Sequence, residues 1–145
     1  MKVFVNECYG GFGFSNEACI MWLEKQGIPV EIFDHDDRYA HTFLVDGEKR
    51  YLRTGISRTD AVMIEIFEEK GSEFVSGPHA ELELVEVPDG CQYSIHEYDG
   101  TEYIDETWIN VTRDELRNGL SEEQLLLAER VSCIRIQDED DTLLN

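Results

Sequence analysis

Apolar and polar positions change rhythm repeatedly along the chain, and each change predicts an element. In KVFVNE, Val3 and Val5 take one face and Phe4 the other, the pattern of a short strand buried on both sides. After a glycine-rich segment, Ala18, Cys19, Trp22 and Leu23 fall at helical spacing. Ser15 is the expected N-cap, Glu17 suits the first turn, and Gly27 with Pro29 ends the helix. IPVEIFD reads as a second strand; paired parallel with the first, it would make a βαβ crossover. HTFLVDGEKRYLRTG reads as a hairpin turning at Asp46-Gly47. Ser57 and Asp60 resemble a capping arrangement for a helix carrying Val62, Met63, Ile66 and Phe67 to Gly71.

The second half continues with a strand in AELELVEVP, where the alternation breaks at Leu84-Val85 and predicts a bulge or burial on both faces. CQYSIHEY and TEYIDETW flank Asp99-Gly100, a second hairpin signal. Thr112-x-x-Glu115 opens a short helix stopped by Gly119, and Ser121-x-x-Gln124 opens another through LLLAERV. CIRI reads as a last strand, and QDEDDTLLN as a frayed acidic tail. The fold class expected is α+β: a mixed β-sheet, an N-terminal strand, glycine loop and helix unit, two β-hairpins and C-terminal helices. No repeat or linker divides the chain, so residues 1–137 are expected to form one domain and 138–145 the tail.

The segment CYGGFGFS, Cys8 to Ser15, invites three readings. A glycine turn at a helix N-terminus presents backbone N–H groups to an anion, so Gly10, Gly11, Gly13 and Ser15, with Arg50 and Arg53, are candidates for holding a nucleotide. The spacing is G-G-x-G, however, and neither phosphate-loop pattern is present. Cys8 could act as a thiolate nucleophile, with His35, His41, His79 or His96 as its base. The plainest reading is a tight turn whose glycines take angles other residues resist, with Phe12 and Phe14 folded over the sheet edge.

Charge alters this picture. The 145 residues carry a net charge of −20. Residues 1–60 hold 7 Lys and Arg against 10 Asp and Glu, while residues 61–145 hold 5 against 22. Gly71–Thr112 contains no Lys or Arg and ten acidic residues. Direct nucleic-acid binding by that half is disfavoured, because it would repel phosphates. Glu81 with Glu83, and Glu97 with Asp99, are expected to project paired carboxylates, and Glu102 extends the set. Such a surface suits a protein partner with a basic face and could mimic a nucleic acid. DHDDR, Asp34–Arg38, could attract a hard cation but lacks EF-hand spacing, so no metal site and no cofactor are expected. No apolar run is long enough to span a membrane. The four cysteines form no C-x-x-C pair and no export signal precedes them, which predicts reduced thiols in a cytosolic protein.

Several motifs together resemble a family of small bacteriophage and prophage proteins of uncharacterised activity. They are Cys8–Ser15 followed by Glu17-Ala18, Arg58 and Asp60 with Ile64–Gly71, Ala80–Asp89, and Tyr93–Ile104. The likeness covers about residues 1–108, leaving 109–137 as a helical extension; Phe14 stands where the family usually has leucine. The resemblance implies a phage-encoded protein of the host cytoplasm and assigns no catalytic residue. The expected function is therefore a non-enzymatic phage accessory protein that inhibits or modulates a host defence or nucleic-acid-handling protein through its acidic surface. Nucleotide binding by the glycine loop is the alternative, and a cysteine-dependent enzyme the third.

Overall fold

The structure, a computed structural model, describes residues 1–34, 40–129 and 133–136. The chain is α+β, as the alternating patterns require. It folds into two compact units, Met1–Glu86 with Ile95–Tyr103, and Val87–Ser94 with the chain from Ile104 onward.

The first unit is built on a ribbon. Strand β1 (Lys2–Asn6) pairs antiparallel with β5 (Leu82–Glu86), Phe4 opposite Leu84 and Val5 opposite Glu83. Phe4, Leu82 and Leu84 join one core with Ala18, Cys19 and Leu23 of helix α1 (Asn16–Lys25) and Met63 and Ile66 of α3 (Ala61–Lys70). Burying each large apolar side chain there contributes about 1.5–3 kcal/mol. Phe4 meets Phe14 edge-to-face at 5.1 Å and Phe67 at 5.7 Å, the geometry aromatic quadrupoles favour.

Helix ends follow sequence logic with one shift. Ser15 caps α1 by accepting from Ala18 N. Asp60, not Ser57, caps α3, accepting from Met63 N and from Trp22 Nε1, both at 2.8 Å; Ser57 Oγ instead lies 3.1 Å from Thr59 Oγ1. One carboxylate thereby ends a helix and ties it to α1. Strand β2 (Glu31–Asp34) does not pair with β1: it joins β3 (Thr42–Val45) and β4 (Glu48–Arg50) in a three-stranded antiparallel sheet. The N-terminal βαβ crossover therefore does not form, because β1 takes its partner from 80 residues further on. Asp46-Gly47 turns the β3–β4 hairpin with φ 52° and 79°, as a two-residue turn needs. Two four-residue helices, α2 (Leu52–Gly55) and α4 (Ser72–Val75), bury Leu52 and Val75 and carry too few residues to announce themselves by periodicity.

The second hairpin, β6 (Gln92–Tyr98) and β7 (Thr101–Thr107), turns at Asp99-Gly100. In the second unit, β8 (Ile109–Val111) pairs parallel with β9 (Ile134–Ile136). A parallel pair needs a long crossover, and α5 (Arg113–Asn118) and α6 (Glu122–Ala128) occupy it. Both helices open with a full capping box, Thr112 with Glu115 and Ser121 with Gln124. The Thr112 N–H donates to the Glu115 carboxylate and holds its pKa below the usual value. Ile109 and Val111 form a small core with Leu120 and Leu127. The acidic tail, and His35 to Arg38 of the DHDDR segment, lie outside the described residues.

Candidate functional site

The glycine loop, the Arg58 segment, the start of β5 and the β6–β7 turn meet around β1. Asn6, a residue the sequence does not single out, is fully buried at its end. Its side chain uses its amide on every side: Nδ2 donates to Gly100 O at 2.8 Å and Cys8 O at 3.1 Å, while Oδ1 accepts from Glu81 N at 2.8 Å. Its own N–H donates to Glu102 Oε1 at 2.8 Å. Glu102 in turn receives Arg58 in a two-point contact, both N–O distances being 2.7 Å. Arg58 also donates to Phe4 O at 3.2 Å, and its guanidinium lies 3.7 Å from the centre of the Phe12 ring. Four separate segments are thus held at one point.

The loop glycines serve this junction. None of Gly10, Gly11 and Gly13 has a positive φ, so unusual backbone angles are not their purpose. Two of them allow close approach. A Cβ on Gly10 would stand 1.8 Å from His79 O, and one on Gly13 2.4 Å from Arg53 Nε; Gly11 has open space. Gly10 also lies against Gly100, where a Cβ would meet Gly10 O at 2.3 Å. Three of the loop's N–H groups are spent internally: Gly11 N donates to His79 O, Phe14 N to Arg53 O and Ser15 N to Val75 O. Ser15 Oγ caps α1 and donates to Phe74 O. A phosphate would find these donors already taken. Arg53 packs on Gly13, whereas Arg50 stands exposed on β4 with Glu48 at 4.0 Å. Phe14 is a core residue and Phe12 a half-buried platform for Arg58.

Cys8 is half-buried, with Sγ 3.4 Å from both Asn6 Oδ1 and His79 O, neither of them a base. His41 stands edge-on to Phe43 and His96 stacks on Tyr103 at 5.3 Å. Burial pushes the Cys19 thiol up to about 12, and burial with the adjacent Cys133 thiol pushes Cys91 up to about 11. All four cysteines are free thiols. Among the described residues, no group of three or more His, Cys, Asp or Glu is placed to hold a metal ion. No described helix is long and apolar enough to cross a membrane.

The acidic candidates separate. Glu102 is not a surface carboxylate: its side chain is 8% exposed and committed to Arg58. Asp99 sits in the turn at φ 50° and not on the strand with Glu97, whose Oε1 accepts from Gly100 N. Glu81, Glu97 and Asp99 are exposed and Glu83 half-exposed. Beside them on the hairpin tip stand two tyrosines the charge pattern does not announce, Tyr98 at 76% and Tyr103 at 59% exposure. Compared with protein-family models, curated proteins and solved structures, the chain matches none of them.

The close approach at Gly10 can be measured. Gly10→Ala should cost about 1–3 kcal/mol in chemical denaturation, because main chain and not a flexible side chain must move. Gly11→Ala should stay within about 1 kcal/mol of the parent; equal losses would refute the close-approach explanation. In timed iodoacetamide labelling at neutral pH, Cys8 should be alkylated before Cys19 and Cys91, which are buried and held as thiols. Mass mapping that finds Cys19 modified first would contradict this.

Proposed function

We propose that this chain is a non-enzymatic binding protein that engages a partner protein through the acidic tip of the β6–β7 hairpin and the neighbouring start of β5. The observation that carries the reading is the exposure of Glu81, Glu97 and Asp99, with Tyr98 and Tyr103, in a stretch with no Lys or Arg from Gly71 to Thr112. Carboxylates there steer a basic surface toward the tip, and tyrosines supply contact area with few rotatable bonds. The partner is a host protein with a basic face, of the kind that handles nucleic acid or defends the cell; this agrees with the phage accessory role implied by the resemblance. The nucleotide alternative loses support because the N–H groups of Gly11, Phe14 and Ser15 are occupied, and the cysteine-enzyme alternative because the Cys8 thiol bonds to Asn6 Oδ1 and His79 O, which are not bases.

Affinity capture from host lysate, followed by controlled elution, tests this. A captured partner should be released between about 0.1 and about 0.5 M salt, where screening shortens to a few ångströms. The variant Glu81→Lys, Glu83→Lys, Glu97→Gln, Asp99→Asn should lose at least about tenfold in affinity, or about 1.4 kcal/mol. The amide substitutions keep the turn geometry, so thermal stability should be retained. A folded variant that binds the same partner as tightly as the parent would overturn the reading.

A further inference from the structure

Helix α6 carries an apolar face that nothing described in its own unit covers. Leu125 is 53% and Leu126 62% exposed, on a helix whose Leu127 meanwhile packs into the core with Ile109 and Val111. Two hollows flank Leu126. One, of about 450 Å³, is lined by Trp108, Ile109, Glu123, Gln124, Leu126 and Leu127. The other, of about 360 Å³, is formed by Glu122, Leu125, Leu126 and Glu129. Glu122 lies three residues before Leu125 and Glu129 four after it, so the leucines sit between two carboxylates on one helix face. Glu123 lines the hollow on the other side.

An apolar floor with an acidic rim selects its occupant by charge. Residues 87–94 and 104–145 hold twelve Asp and Glu against four Arg and no Lys. A second copy of this chain would bring the same carboxylates against this rim, and an anionic lipid surface or nucleic acid would be repelled in the same way. We propose that the α6 face docks a short basic amphipathic helix of a partner protein. Its leucine-like side chains would enter the two hollows beside Leu126, and its Lys or Arg would meet Glu122, Glu123 and Glu129. The seven residues of α6 span about 10 Å, which matches about two turns of the incoming helix. This site shares no residue with the hairpin tip and stands whether or not that tip binds.

The test uses the full chain and a fluorescein-labelled synthetic peptide with leucines at every third and fourth position and lysines elsewhere. Fluorescence anisotropy should show saturable binding that weakens with salt. It should fall at least about tenfold in Leu125→Gln, Leu126→Gln, exposed changes that leave the core intact. The same peptide with glutamates for lysines, or serines for leucines, should not bind. Failure of the Leu/Lys peptide to bind, or equal binding to parent and variant, overturns the proposal. So does a dimer in sedimentation analysis that the double variant dissociates, since the face would then belong to a second copy.

Discussion

A buried strand cannot leave its backbone groups unpaired, and among the described residues β1 has a sheet partner on one edge only. Val3 and Val5 face β5 through the ladder; Phe4 and Asn6 direct their N–H groups the other way. Each such group left dry and unpaired costs about 1–3 kcal/mol. The protein answers with pieces of two distant segments. Phe4 N donates to the Arg58 carbonyl, Phe4 O accepts from the Arg58 guanidinium, and Asn6 N donates to the Glu102 carboxylate. Arg58 and Glu102 close on each other, so an ion pair stands where a third strand would lie. Everything gathered there depends on it, from the Gly10–Gly100 contact to the Phe12 platform.

The same constraint gives the conspicuous residues their roles. CYGGFGFS looks like a ligand loop because glycines and a helix N-terminus so often serve ligands. Here Gly10 is small so that main chain can touch main chain and Gly13 so that the Arg53 side chain can pack on it, and the N–H groups of Gly11, Phe14 and Ser15 serve the fold. The hairpin motif ending in Glu102 looks like acidic surface, yet this carboxylate turns inward to an arginine more than forty residues away. Signature residues can thus be structural while unremarkable neighbours, Tyr98 and Tyr103, remain available for contact.

Local chemistry was legible and long-range pairing was not. Both Asp-Gly turns, the Ser15 cap and the two capping boxes depend on residues within four positions of each other, and the structure places them as the pattern predicts. The partner of β1 depends on Leu82–Glu86, and no local pattern says whether a strand pairs with its neighbour or one 80 residues on. A parallel pairing, only conditional at the N-terminus, occurs between β8 and β9. Asn6 stayed hidden because a single asparagine in an apolar strand carries no periodicity. Its role appears only when Gly100, Glu81 and Cys8 are seen around it. Charge counting located the acidic stretch but could not divide it, since Glu102 and Glu97 differ by their partners and not by their type.

The claim that an ion pair substitutes for a strand is most directly measured by a double-mutant cycle at Arg58 and Glu102. Denaturant unfolding of Arg58→Met, Glu102→Gln and the double variant should give single losses of about 3 kcal/mol or more, since each strands a partly buried charge. The double variant should recover part of that loss, with a coupling of about 1–3 kcal/mol. Additive single losses, with coupling under about 0.5 kcal/mol, would contradict the account, because β1 would then be held by its other contacts and the ion pair would be incidental.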